Sequence, residues 1–190
     1  MTVDQLTWAT ITEKLYDGAF AYIATGPRTS DDWRLDVLTI MGRRAADPRG
    51  WSVLDDCPAG YAEQGGEEPP YPFLPPSPEV LTGYLHEITP EAAAEQLIAM
   101  ASPGCMLPAS LMEFDESADE LLTMARTLLS RFEPGATYRT NVGQAAGNRH
   151  PDFSSSFRSW HPMTVYNEDI GLVVVSDDEV GLFWTFAPEY

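Results

Sequence analysis

The strongest constraint on the fold lies near the C-terminus, in "IGLVVVS" and "EVGLFWTFA", two runs joined through the acidic triplet Asp177, Asp178 and Glu179. Alternate residues of a strand face opposite sides of its sheet. In the first run Ile170, Leu172 and Val174 alternate with Gly171, Val173 and Val175, so both faces are apolar and both need cover. That is the pattern of an interior strand under helices. In the second run Val180, Leu182, Trp184 and Phe186 share one face, and Gly181, Phe183, Thr185 and Ala187 share the other. The pair reads as a buried hairpin whose reversal carries the three acids. A turn keeps those carboxylates in water, while the competing readings are a partner contact and a metal or catalytic site. Cation sites use converging oxygens at a spacing such as D-x-D-x-D-G. "SDDE" has no such spacing, so a metal or catalytic role ranks last.

The rest of the chain comes in blocks. Trp8, Ile11 and Leu15 recur at helical spacing between Asp4 and Asp17, and Gly18 suits the end of that helix. "AFAYIATG" and "WRLDVLTIMG", separated by "PRTSDD", read as two strands of an antiparallel hairpin. Ser77-Pro78 and Thr89-Pro90-Glu91 are helix starts, opening "PEVLTGYLHEI" and "PEAAAEQLIAMA". Ser117 and Glu120 form a capping box ahead of a stripe of Leu121, Leu122, Ala125, Leu128, Leu129 and Phe132. "ATYRTNV" and "FRSWHPMTVY" then read as further strands before the closing hairpin. Strands, helices and strands in succession predict an α+β fold: an antiparallel sheet from N- and C-terminal strands with three to four helices packed on it. One domain spanning 1–190 is expected, with a long loop at about 57–78 that holds seven prolines. Tyr71, Phe73 and Leu74 in that loop are apolar anchors that a free linker would not need.

Charge separates the function classes. The chain has 29 acids against 11 basic residues, a formal charge of −18, and between Gly50 and Ala125 it has fourteen Asp or Glu and no Lys or Arg. Such a field repels nucleic acid and anionic membrane, and it attracts basic partners; surplus charge that serves only solubility is the plainer alternative. No apolar run approaches the roughly 20 residues of a membrane helix, and the opening "MTVDQLTWATITEK" lacks the order of a signal peptide. A cytoplasmic protein is expected. A chain of this length buries about 70% of its unfolded surface, so neither a metal nor a disulfide is needed for stability. Cys57 and Cys105 have no CxxC spacing and read as reduced thiols.

Catalytic signals are sparse. His150, Asp152 and His161 are the one set from which a pocket could be imagined, with a structural or surface role the alternative. His86-Glu87 begins like H-E-x-x-H, but position 90 is Pro90, which excludes a zincin helix. Ser110 and Ser154 to Ser156 lack a G-x-S-x-G elbow, and "GQAAG" lacks a phosphate-loop lysine. Arg43, Arg44 and Arg49 could hold an anion or balance nearby acids. Trp51, Tyr61, Tyr71 and Phe73 flank the loop carrying Glu63, Glu67 and Glu68. Aromatics ringed by carboxylates describe a surface that grips a basic partner; the same aromatics could instead pin the loop to its own core.

The closing "DIGLVVVSDDEVGLFWTFAPEY", about 20 of the 190 residues, resembles the C-terminal ends of small acidic immunity proteins that bacteria, especially actinobacteria, encode beside secreted toxins. The resemblance implies an α+β cytoplasmic protein without cofactor that occludes the active site of a cognate toxin. It transfers no functional residue, and the Pro-rich loop departs from it. The expectation is therefore a non-enzymatic partner-binding protein, an immunity-type inhibitor of a basic toxin such as a nuclease. Its expected contacts are Glu63, Glu67, Glu68, Tyr71, Phe73, Asp115, Glu116, Asp177, Asp178 and Glu179, with no catalytic residue, metal or cofactor. The alternatives are a small hydrolase or ligand-binding enzyme using His150, Asp152 and His161, and a structural or regulatory subunit of a larger assembly.

Overall fold

A computed structural model describes residues 3–56, 72–74, 77–101, 107–154, 159–166 and 168–187. Its frame is a sheet of six strands: β1 (Phe20–Pro27), β2 (Leu54–Asp55), β3 (His86–Ile88), β4 (Thr137–Thr140), β5 (Glu168–Val175) and β6 (Glu179–Ala187). The order is β2-β1-β6-β5-β4-β3, and each neighbouring pair is antiparallel. β6 lies at the centre, pairing with β5 from Val175↔Val180 to Glu168↔Ala187 and with β1 from Phe20↔Phe186 to Pro27↔Glu179. The N- and C-terminal strands thus form one sheet. Six α-helices are described where three to four were expected: α1 (Gln5–Tyr16), α2 (Trp33–Met41), α3 (Pro78–Tyr84), α4 (Pro90–Ala99), α5 (Leu107–Glu113) and α6 (Ala118–Leu129).

Both faces of the hairpin are covered, as its two apolar alternations require. On one face Trp8 and Leu15 of α1, Leu97 of α4 and Leu121 and Leu128 of α6 meet Ile23, Ile170, Leu172, Val174 and Phe183. On the other, Val37, Ile40 and Met41 of α2, Leu81 of α3 and Phe73 meet Tyr22, Val173, Leu182, Trp184 and Phe186. The two sets of β6 fall on the faces the sequence assigns them, and each large apolar side chain buried in this way contributes about 1.5–3 kcal/mol. The helix starts also match their signals. Ser77 accepts from the Val80 amide and Thr89 from the Ala92 amide, and Ser117 and Glu120 close their capping box in both directions.

Three expectations are corrected. Residues 33–41 form helix α2, not a strand: Asp32 caps it by accepting from the Arg34 amide, and the buried set Asp36, Val37, Ile40 and Met41 has helical spacing. The two-residue alternation of Leu35, Val37 and Thr39 is incidental, and Leu35 is exposed. The helix opened by Pro78 stops at Tyr84; Leu85 is extended, and His86–Ile88 joins the sheet as β3 beside Tyr138–Thr140. The stretch "FRSWHPMTVY" is no strand over its described residues, making only single bridges at Trp160 to Val142 and Thr164 to Phe73. Asp169 of β5 takes the place of a strand partner there. Its carboxylate accepts from the Met163 and Thr164 amides, the Thr164 hydroxyl, Asn141 Nδ2 and Trp184 Nε1. Burial pushes the Asp169 carboxyl above the ordinary range, and those donors work against the shift.

One close approach fixes the register of β5 on β6. Gly171 faces Trp184 across the pair, and a Cβ at 171 would stand 1.9 Å from Trp184 Cε3. Gly171→Ala must displace a fully buried indole, so it is expected to cost about 1–3 kcal/mol by overpacking. Gly147→Ala, at a position where a Cβ meets nothing within 4 Å, is expected to stay within about 0.5 kcal/mol. Urea-denaturation midpoints of the two variants compare them directly.

Candidate functional site

The residues nominated from the sequence do not come together. Asp177 and Asp178 are exposed in the β5–β6 turn, whereas Glu179 is 7% exposed and points inward. Glu116 pairs with Lys14 at 2.9 Å, and Asp115 is exposed nearby. Phe73, expected at a partner surface, is 2% exposed, with ring centroids of Tyr22 and Trp184 at 5.7 and 5.5 Å. Its backbone neighbours hold it there, the Leu74 amide donating to the Met163 carbonyl and the Val165 amide to the Pro72 carbonyl. Glu63, Glu67, Glu68, Tyr61, Tyr71, Cys57 and Cys105 lie outside the described residues.

The histidines divide in the same way. His150 is exposed and contacts Glu95 Oε2 at 3.1 Å and Thr89 Oγ1 at 3.3 Å. His161 instead stacks on Tyr84 at 4.7 Å and lies 5.3 Å from the ring of His86. Asp152 accepts from the Ser154 amide. Among the described residues no group of three or more His, Cys, Asp or Glu is placed to hold a metal ion. Burial and then the neighbouring His161 hold His86 below its ordinary value.

What the fold does assemble is an ion cluster behind an aromatic wall. Arg131, whose side chain is fully buried, reaches Asp47 at 2.9 Å and Glu179 Oε2 at 2.7 Å. Arg49 takes the other oxygen of Glu179 at 2.6 Å and donates to the Arg131 carbonyl at 2.9 Å. Thr25 donates to Asp47. The guanidinium of Arg131 lies over the rings of Trp51 at 4.5 Å and Trp8 at 4.9 Å, and Arg49 adds a second contact with Trp51 at 5.2 Å. Two cations and two carboxylates thus balance in a place from which water is largely excluded, and the cluster fixes Trp51 against α1. Arg49 here balances acids, as does Arg43 with Asp55 at 2.8 Å. Burial alone would raise the Asp47 carboxyl, but hydrogen bonds from Arg131 and Thr25 prevail and hold it below the ordinary value.

In front of this wall lies a cleft of about 390 Å³ between α1 and residues 51–56. Helical spacing gives α1 two ridges along it. The inner ridge is Trp8, Thr12 and Tyr16, all buried, and the outer is Gln5, Ala9, Glu13 and Asp17, all exposed. Thr12 and Ala9 are the small members of their rows, so the surface dips where they adjoin. Trp51, Ser52, Val53, Leu54 and Asp56 form the facing wall. Among the described residues the lining carries three carboxylates, Glu13, Asp17 and Asp56, over an aromatic floor, and no Lys, Arg or His. The Thr12 hydroxyl, on a residue only 6% exposed, has no hydrogen-bond partner among the described residues. A second hollow of about 490 Å³ on the other flank of the helix shares Glu13 and Asp17 and adds Glu113, Asp115 and one base, Lys14. Glu13 and Asp17 therefore stand on a crest between two acidic depressions.

No protein-family model, curated protein or solved structure matches the chain.

Trp51 is the cleft residue that the sequence had singled out for a partner surface, while Trp8 was read only as part of the apolar stripe of the first helix. The i, i+4 row from Gln5 to Asp17 was the available sign of the rest, but it reads as an ordinary solvated helix face until residues 51–56 are placed opposite.

The ion cluster separates two adjacent acids. Glu179→Gln leaves Arg131 underpaired and is expected to cost about 3–5 kcal/mol. Asp178→Asn, in the exposed turn, is expected to cost under about 0.5 kcal/mol; chemical denaturation reads both. Two groups contribute to the acid response in separate pH windows. His86 binds its proton less readily folded than unfolded, so stability falls as pH drops below about 6.5. Asp47 has the ordinary carboxylate sign, and its contribution is lost as pH falls through and below about 3.8. His86→Phe is expected to flatten only the first window and Asp47→Asn only the second, as measured by urea midpoints across the pH range.

Proposed function

We propose that the protein is a non-enzymatic binding protein whose cleft between α1 and residues 51–56 receives a basic protein partner. The observation that carries this reading is the lining: among the described residues, three carboxylates and no cationic side chain, around an aromatic floor. Aromatic surface supplies the desolvated centre of an interface, and a rim of one charge supplies steering and selectivity. The net charge of −18 extends the same field over the molecule. The ion cluster makes the wall rigid before binding, which lowers the ordering cost of association. An immunity-type inhibitor of a basic toxin, such as a nuclease, is the form of this function that agrees with the resemblance of the closing hairpin. There, carboxylates would compete for the surface that otherwise binds phosphate. No described helix is long and apolar enough to cross a membrane. The hydrolase alternative has no support in the placement of His150 and His161, whose rings contact different partners.

Calorimetric titration with the purified product of the neighbouring gene tests the reading. Binding is expected at about 50 mM salt and to weaken at least about tenfold at about 300 mM, where screening is stronger. Joint replacement Glu13→Gln, Asp17→Asn and Asp56→Asn is expected to weaken it by at least about 100-fold, with thermal stability unchanged because all three are exposed. Binding indifferent to salt and to the triple replacement would remove the cleft from the interface.

A further inference from the structure

We infer, building on that reading, that the cleft is a receptor for a guanidinium group, so that the partner lays an arginine side chain over the touching rings of Trp8 and Trp51, whose centroids are 5.9 Å apart, with Thr12 and Tyr16 on one side and Leu54 on the other. The carboxylates alone would call for any cation, and two further observations narrow the choice. The first is the Thr12 hydroxyl, buried on the inner ridge without a hydrogen-bond partner among the described residues, in a cleft that is otherwise aromatic and apolar at its floor. A buried polar atom is normally paired, and one on a residue that lines an open cleft is completed by a donor from the occupant once the side chain turns toward it. A quaternary ammonium has no donor to give it, whereas a guanidinium has five in a rigid fork.

The second observation is that this wall already handles guanidinium groups. Arg131 and Arg49 lie over Trp51 at 4.5 and 5.2 Å, and Arg131 also lies over Trp8 at 4.9 Å, while their charge is taken by Glu179 and Asp47. An incoming arginine would repeat that mode from the open side, its plane on aromatic surface and its edge toward Glu13, Asp17 and Asp56. The dip at Ala9 leaves the outer ridge open for the side chain to enter. A lysine could satisfy the charge, but its compact, strongly hydrated ammonium neither stacks nor spans carboxylates on two walls.

The test uses three short peptides that differ at one residue, carrying arginine, lysine or the uncharged arginine isostere citrulline, titrated into the intact protein with tryptophan emission as readout. The arginine peptide is expected to bind at least about tenfold tighter than the lysine peptide, and the citrulline peptide weakest. Thr12→Val keeps the shape and removes the acceptor, and is expected to weaken the arginine peptide about fivefold or more while changing the lysine peptide less. Ala9→Leu, at an exposed helix position, fills the dip and is expected to abolish the response without loss of thermal stability. Equal, salt-sensitive binding of arginine and lysine peptides would overturn the guanidinium assignment and leave the basic-partner reading standing. Absence of binding by all three peptides, or arginine binding unchanged by both Thr12→Val and Ala9→Leu, would also overturn it. The titration with the whole partner decides the broader reading separately.

Discussion

The contact of Arg131 with Glu179 and Asp47 is the constraint on which the working surface depends. A guanidinium removed from water is costly unless its charge and donors are met. Meeting its charge with two carboxylates ties together the start of β6, the residues after α6 and the segment that leads to Trp51, while Nη1 has no hydrogen-bond partner among the described residues and lies in the aromatic wall. The pairing makes an otherwise irregular stretch, 47–53, into a wall with a fixed aromatic face. Asp169 does the equivalent on the opposite layer, where five donors from four residues hold residues 163–164 against the sheet. In both places a buried carboxylate substitutes for regular secondary structure, and so the protein carries long irregular segments over an ordered core.

The central strands were legible in the sequence because their pattern has one physical solution. Apolar residues on both faces of 170–175 and 180–186 leave no arrangement but a covered hairpin, and the residues fall on the two faces in the order their alternation dictates. Helix starts were legible for a local reason: Ser77, Thr89 and Ser117 cap through their own side chains. Residues 33–41 failed because Leu35, Val37 and Thr39 alternate by accident, while what selects the helix is a cap at Asp32 and burial of Val37, Ile40 and Met41 against β1 and β6. A nine-residue segment holds too few periods for its pattern to exclude the other reading.

The candidate site was less legible, since its residues gain their roles only from one another. Glu179 looked like part of a hydrated acidic turn, but the strand begins one residue earlier than the charges imply and turns its side chain inward to Arg49 and Arg131. Phe73 could be read either as a partner contact or as a pin for the Pro-rich loop, and it is the pin, filling a gap between Tyr22, Trp184 and Phe186. Thr12 and Ala9 carry no signal at all in the sequence. They matter because they are small next to Trp8, Tyr16 and Glu13, and because another segment faces them.

The sequence separations in the ion cluster have a consequence for when the surface exists. Asp47 and Arg49 meet Arg131 and Glu179 only after strands from both ends of the chain have been brought into one sheet. Contacts between such distant residues carry the cost of closing long loops. Trp51 is therefore set in place only once Glu179 has joined the sheet, and a nascent, truncated or partly unfolded molecule carries the acids without the cleft. Recognition through this wall would count only finished copies, so that the amount of partner captured measures the folded population and not the amount of chain made.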